Sequence, residues 1–141
     1  MSFLLDTNAV SEIRRGRDPC VRTWVGEVED AELHLSVLTL GEIRKGIEML
    51  RDRDPTQAEV FDSWLGNLHT LFADRILTID GRTAEEWGRL NATATRNTVD
   101  SLIAATARVH GLTVVTRNTG DFEGCGVPLL NPWHHRPATP H

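Results

Sequence analysis

The chain has 141 residues, 40% of them apolar and 25% charged, the size and make-up of one globular domain with a single core. A net charge of −5 argues against capture of nucleic acid by the surface as a whole, while leaving room for a local basic rim. Cys20 and Cys125 have no CxxC spacing, no positively charged apolar leader is present, and no apolar run approaches about 18 residues; the expectation is a reduced, cytoplasmic protein without membrane attachment.

Phe3-Leu4-Leu5 is a short apolar run stopped by Asp6, Thr7 and Asn8. It reads as a buried parallel strand, so that Asp6 falls at the C-terminal strand end, where open α/β sheets bind ligands. Thr7 to Arg15 follows as a helix stopped by Gly16, and Asp18-Pro19 opens a second carrying Val21, Trp24, Val25 and Val28. Leu33 to Val37 is the next strand. Thr39-Leu40-Gly41-Glu42 has the capping-box pattern, opening a helix with an apolar stripe of Leu40, Ile43, Ile47 and Leu50. Asp54-Pro55 opens another, with Val60, Phe61, Trp64, Leu65, Leu68 and Leu71 at helical spacing. Arg75 to Ile79 is a third strand, and Asp80 caps a helix bearing Ala84, Trp87 and Leu90. After a polar loop, Asn91 to Thr98, the stretch from Val99 to His110 is apolar or small on all sides, as in a fully buried helix ended by Gly111. Leu112 to Val115 is a fourth strand, Thr116 to Gly126 a polar loop, and Pro128 to Leu130 a short fifth strand. Alternating strands and helices predict a three-layer α/β/α sandwich around a parallel sheet of four to five strands. One domain is expected over residues 1–133, with 134–141 as a flexible tail in which His134 and His135 are solvated.

Four acids stand out: Asp6, Glu42, Asp100 and Asp121. Each has an ordinary role open to it. Asp6 suits a helix cap, Glu42 the far half of a capping box, Asp100 the positive end of a helix dipole, and Asp121 a polar loop. Jointly they read differently. The ends of the first and fourth strands share one sheet edge if both run parallel, and helices entering there bring their first turns to it. Carboxylates gathered in one crevice repel unless a cation holds them or some are protonated. All-oxygen ligation suits Mg²⁺ or Mn²⁺, with Thr7, Asn8, Thr116 and Asn118 placed to support the acids. Such a pocket hydrolyses phosphate esters, one acid serving as general base to water. Arg14, Arg15, Arg44, Lys45 and Arg117 are candidates for a phosphate-holding rim, a solvated helix face being their plainer role.

The segments Phe3-Leu4-Leu5-Asp6-Thr7-Asn8, Ser36-Val37-Leu38-Thr39-Leu40-Gly41-Glu42-Ile43, Val99-Asp100-Ser101-Leu102-Ile103-Ala104-Ala105-Thr106-Ala107 and Val115-Thr116-Arg117-Asn118-Thr119-Gly120-Asp121-Phe122 resemble the PIN-domain ribonucleases. Within these the chain is similar to the VapC-type toxins, the FitB-like subgroup above all. The resemblance runs from Phe3 to about Trp133. It implies Asp6, Glu42, Asp100 and Asp121 as an acidic set binding Mg²⁺ or Mn²⁺, with Thr7 and Asn118 in support. It further implies endonucleolytic cleavage of RNA, homodimerisation, and neutralisation by a VapB-like antitoxin through which operator DNA is reached. One departure is Ala94-Thr95-Arg96-Asn97-Thr98, polar and proline-free where relatives often have an apolar residue and a proline; it bears on the loop's conformation and on the RNA selected.

Other readings fit less well. A haloacid-dehalogenase-like phosphatase wants a second Asp two residues after the first, where this chain has Asn8, and a phospho-receiver needs a late lysine, where the only one is Lys45. No GxxxxGK[ST] loop exists. The alternative that survives is a catalytically weak PIN subunit acting mainly inside an antitoxin-bound, DNA-associated repressor complex.

Overall fold

Asp6 owes its position to the strand that precedes it. In a computed structural model describing residues 1–137, that strand, β1 (Phe3–Leu5), is buried along its whole length and lies at the centre of the sheet. It pairs in parallel with β2 (Leu33–Ser36) on one side and β4 (Thr113–Val115) on the other; β3 (Ile76–Leu77) and β5 (Leu129–Leu130) complete the order β3-β2-β1-β4-β5, all parallel. Leu5 is in register with Val115, so the residues that follow, Asp6 and Thr116, leave the sheet side by side.

The period-two alternation of a strand sorts side chains to opposite faces. Phe3 and Leu5 pack with α1 (Thr7–Arg15), α2 (Pro19–Glu27), α3 (Val37–Arg51) and α4 (Pro55–Leu71). Leu4 packs on the other side, with α5 (Gly81–Asn91) and α6 (Thr98–His110). The result is a three-layer α/β/α sandwich. On the first face the Phe3 and Trp24 rings meet edge-on, their centroids 5.2 Å apart. On the second, Ile103 to Ala107 of α6 are buried without a break, while Thr98, Arg108 and His110 reach solvent. The helix expected to be buried throughout is therefore buried only in its middle.

Several boundaries differ from the sequence expectation, each for a local reason. α3 begins at Val37, not at Thr39: Ser36 Oγ accepts from the Leu38 N–H and is the cap. Thr39 sits inside the first turn, fully buried, and no capping box forms. Asp18, Asp54 and Asp80 cap α2, α4 and α5 as expected. In α5 the inward residues are Thr83, Trp87 and Leu90, with Ala84 exposed; in α4 the stripe is Ala58, Phe61, Leu65 and Leu68, with Val60 and Leu71 outside it. The third strand shrinks to two residues. The expected tail is partly structured: Pro132–His134 forms a 3₁₀ turn, and His135 Nε2 lies 2.7 Å from Glu27 Oε2, so His135 is paired rather than solvated. The end of that tail, 138–141, lies outside the described residues.

Candidate active site

Asp6 is the N-cap of α1, and only 7% of it is exposed. A carboxylate this deep needs donors. Its Oδ1 accepts from the Thr7 N–H at 2.9 Å; its Oδ2 accepts from the Thr116 hydroxyl at 3.0 Å and from Asn8 Nδ2 at 3.1 Å. Thr116 is fully buried at the end of β4 and also accepts, at 3.1 Å, from the Asn118 N–H. Asn8 closes the ring, its Oδ1 taking the Arg117 N–H at 3.0 Å. The four polar residues expected to support the acids thus differ in role: Thr116 and Asn8 hold Asp6 by their side chains, and Asn118 takes part through its backbone.

Thr7 points the other way. Its hydroxyl donates to Glu42 Oε1 at 2.6 Å, a short, charge-assisted bond linking α1 to α3. With the cap at Ser36, Glu42 lies in the second turn of α3 and not the first, free of any capping duty. Asp100 is in the first turn of α6, where Asn97 Oδ1 accepts its N–H at 3.0 Å, and Asp121 is exposed in a 3₁₀ turn after β4.

Electrostatics ties the four together. Asp6's carboxyl is raised above its ordinary range, first by burial and further by Glu42, against the pull of the Thr7, Thr116 and Asn8 hydrogen bonds. Asp100's is pushed up to about 6, by burial first and then by the negative charges of Asp6, Asp121 and Glu42. All four acids therefore share one neighbourhood at the C-terminal edge of the sheet. Contact is closer within one pair than across the set: Asp6 and Glu42 are linked through Thr7, whereas Asp100 and Asp121 are coupled only through space. Among the described residues no three acids, histidines or cysteines are drawn tightly enough around one point to ligate an ion as they stand. The donor chemistry suits a hard divalent cation nonetheless, since every candidate ligand is a carboxylate oxygen with hydroxyls and amides behind it.

The basic rim is thinner than the sequence suggests. Arg44 is committed to Asp62, through two nitrogens at 3.0 and 3.2 Å, and to Glu48; Arg15 lies 3.8 Å from Glu12. The Arg14 guanidinium stacks 4.5 Å from the Phe61 ring, and Arg117 lies 5.4 Å from that of Trp133. Arg14, Lys45 and Arg117 form no ion pair among the described residues.

Beside Glu42 opens an apolar groove of about 300 Å³ between α1, α3 and α4, walled by Ile43, Ile47, Leu50, Phe61 and Trp64 and reaching Thr7. In sequence Phe61 and Trp64 read only as core residues, and helical spacing holds no mark of a groove.

The PIN domain model matches residues 3–124. The chain belongs to the PIN-domain family. This PIN domain is 34% identical to Toxin FitB of Neisseria gonorrhoeae, over 94% of the chain and 99% of that protein. It is 32% identical to VapC ribonuclease Y4jK of Sinorhizobium fredii, over 93% and 97%. Among solved structures, FitAB bound to an IR36 DNA fragment superposes with a TM-score of 0.85 at 31% identity, covering 97% of this PIN domain and 99% of that chain. A toxin–antitoxin complex from Klebsiella pneumoniae superposes with a TM-score of 0.68 at 26% identity, covering 93% and 98%.

Proposed function

We propose that this PIN domain is a divalent-metal-dependent endoribonuclease, the toxin of a toxin–antitoxin pair, hydrolysing RNA phosphodiester bonds in the cytoplasm. The observation that carries the reading is the continuous chain Glu42–Thr7–Asp6–Thr116–Asn8, with Asp100 and Asp121 coupled to it, at the ligand-binding edge of a parallel sheet. Asp6, Glu42, Asp100 and Asp121 would hold Mg²⁺ or Mn²⁺, which when bound supplies positive charge against the oxygens of the reacting phosphate and acidifies water. Asp6, fixed by its three donors, is the rigid member. Glu42 is aimed by Thr7. Asp100, raised to about 6 in the metal-free chain, is an acid whose ionised form a bound cation would favour, and one of the four acids would serve as general base to the attacking water. Relatives named ribonuclease and toxin support this chemistry.

The partner is a VapB-like antitoxin, and operator DNA is reached only through it, as the FitAB–DNA and toxin–antitoxin structures suggest by similarity. The apolar groove beside Glu42 suits an antitoxin segment that would cover the acids' rim. We infer a homodimer as well, because Met49, Val60 and Leu71 leave apolar surface exposed on α3 and α4. Light scattering giving a monomer at working concentration would remove that inference.

The same acids stand in a second reading, a weak nuclease acting mainly as a repressor subunit in the antitoxin–DNA complex, with which the solved FitAB complex on DNA is in keeping. One experiment separates them. The purified chain, freed of antitoxin, should cut single-stranded RNA with Mg²⁺ or Mn²⁺, stop on chelation by EDTA, and lose all activity as Asp6→Asn with its fold intact. Cleavage retained by Asp6→Asn would falsify the site assignment, and cleavage indifferent to EDTA would exclude the metal mechanism. A wild-type chain that cuts no RNA, yet still joins an antitoxin on DNA, establishes the second reading.

A further inference from the structure

On the face of the molecule formed by α5 and α6, two confluent hollows of about 330 and 230 Å³ share Glu86, Arg89 and Arg108 as walls. Arg96 closes one end and Arg82 the other. Four arginines thus face a single carboxylate, Glu86, in a chain whose overall charge is −5. Glu86 is shared out, one oxygen 2.9 Å from Arg108 Nε and the other 3.2 Å from Arg89 Nε.

The other contacts are to neutral acceptors. Arg96 donates to the Glu123 and Gly124 carbonyls at 3.0 and 3.2 Å, and its buried Nε has no partner; Arg108 donates to the Cys125 carbonyl at 3.2 Å. Carbonyls orient a guanidinium without cancelling its charge. The loop can wrap the two side chains because Gly124 and Gly126 adopt left-handed backbone and lack a Cβ. Added Cβ atoms would lie 3.2 Å from Arg96 Nη2 and 2.7 Å from Arg108 Nη1. Arg82 has no ion pair among the described residues.

We propose that this pocket is a phosphate subsite for the RNA strand, set apart from the acids that cut it. The inference rests on the nuclease reading above. Its location supports it: Arg96 precedes Asp100 by four residues and Gly124 follows Asp121 by three, so the two segments that bring acids to the sheet edge also build the pocket. Guanidinium forks match phosphate oxygens in pairs, and a strand threaded past the acids carries a phosphate at every nucleotide.

The test compares two single charge removals by fluorescence anisotropy with labelled single-stranded RNA, in EDTA, across a salt series. Arg89→Gln removes a pocket arginine whose side chain is 65% exposed, so the fold tolerates it; Arg53→Gln removes an exposed arginine at the α3–α4 turn. Arg89→Gln should weaken binding several-fold at low salt and lower the slope of log K against log salt by roughly 0.7, the value of one single-strand phosphate contact. Arg53→Gln should change neither. Arg89→Lys should keep the slope, and Arg82→Gln should repeat the Arg89→Gln result. Equal effects of Arg89→Gln and Arg53→Gln, or none from either, overturn the subsite. Inorganic phosphate that raises the melting temperature of wild type but not of Arg89→Gln, with RNA affinity unchanged between them, would make this a site for free phosphate and overturn the RNA assignment. If wild type cuts RNA while the slopes coincide, only the subsite falls; if wild type neither binds nor cuts RNA, the nuclease reading falls with it.

Discussion

Replacing Thr116 by valine keeps the shape at the end of β4 and deletes one oxygen atom. That atom donates to Asp6 Oδ2 at 3.0 Å and accepts from the Asn118 N–H at 3.1 Å and Asn8 Nδ2 at 3.3 Å, at a residue with no exposed surface. A hydrogen bond to a charged group is worth about 1.5–3 kcal/mol, and each neutral one about 0.5–1.5 kcal/mol. Asn118 is exposed, so water replaces part of what its N–H loses. Thr116→Val should therefore destabilise the metal-free chain by about 2–4 kcal/mol near neutral pH. With a urea slope of about 2 kcal/mol per molar, the unfolding midpoint falls by about 1–2 M. The loss should also depend on pH. Asp6's carboxyl is already raised above 3.8, and the Thr116 hydroxyl is one of the groups restraining it. Removing the hydroxyl raises it further, so the variant's native state holds its proton to higher pH. Its deficit is then smaller where Asp6 is protonated in both proteins, only the neutral hydrogen bonds being lost there, and grows as pH rises through the shifted range. Urea unfolding of both proteins in EDTA at about pH 4.5 and about pH 7.5 measures this. A deficit below about 0.5 kcal/mol, or one equal at the two pH values, would refute the assignment of Thr116 as the donor that holds Asp6 charged.

Asp100 gives a second pH prediction. Its folded-state value, about 6, lies above the usual carboxylate range, so its contribution to stability is complete at low pH and is lost as pH rises through 6. A bound divalent ion reverses this by favouring the ionised form. At a fixed concentration about a hundred times its Kd at about pH 7.5, Mg²⁺ should raise Tm by roughly 5–10 °C at that pH and by roughly half as much at about pH 5, where protonation of Asp100 weakens binding about tenfold, in a thermal scan; equal shifts would place the ion elsewhere. Thr7→Val should lower RNA cleavage by about 10–100-fold by releasing Glu42, while changing stability by less than about 1 kcal/mol, because Glu42 is exposed and water takes the place of the lost hydroxyl; steady-state rates beside urea unfolding separate the two effects. Arg44→Gln should leave RNA affinity and its salt dependence unchanged, because Asp62 and Glu48 already hold that guanidinium; a weaker, flatter salt response would return Arg44 to the rim.

The parts legible in the sequence were those where one physical requirement acts alone. Phe3-Leu4-Leu5 has to be buried, and that fixes the depth of Asp6 whatever the rest of the chain does. Gly16 and Gly111 mark helix ends because both take left-handed backbone, with φ of 62° and 66°. Where two signals competed, pattern chose the wrong one. Ser36 and Thr39 are both good caps, and β-branched Val37 reads as strand, so the start of α3 was displaced and Glu42 acquired a structural role it does not have. Periodicity in α4 locates a face but not how far its neighbours extend, which is why Leu71 reads as core and is 65% exposed. Arg44 reads as a free cation because its partner Asp62 is on another helix. The arginine pocket was hidden for a related reason: its acceptors are main-chain carbonyls, and these carry no residue identity.

The hydrogen bond from Thr116 to Asp6 spans 110 positions of the chain, and the β1–β4 pairing beside it is as long in range. During synthesis the first acid leaves the ribosome long before its holder does. At about 5–20 residues per second the interval is about 5–20 s. A nascent chain in that window has Asp6 without the hydroxyl that steadies it and lacks Asp121 altogether. Assembly of the acidic edge therefore waits until Thr116 has been made, 110 positions after Asp6, a delay that the strand order alone imposes.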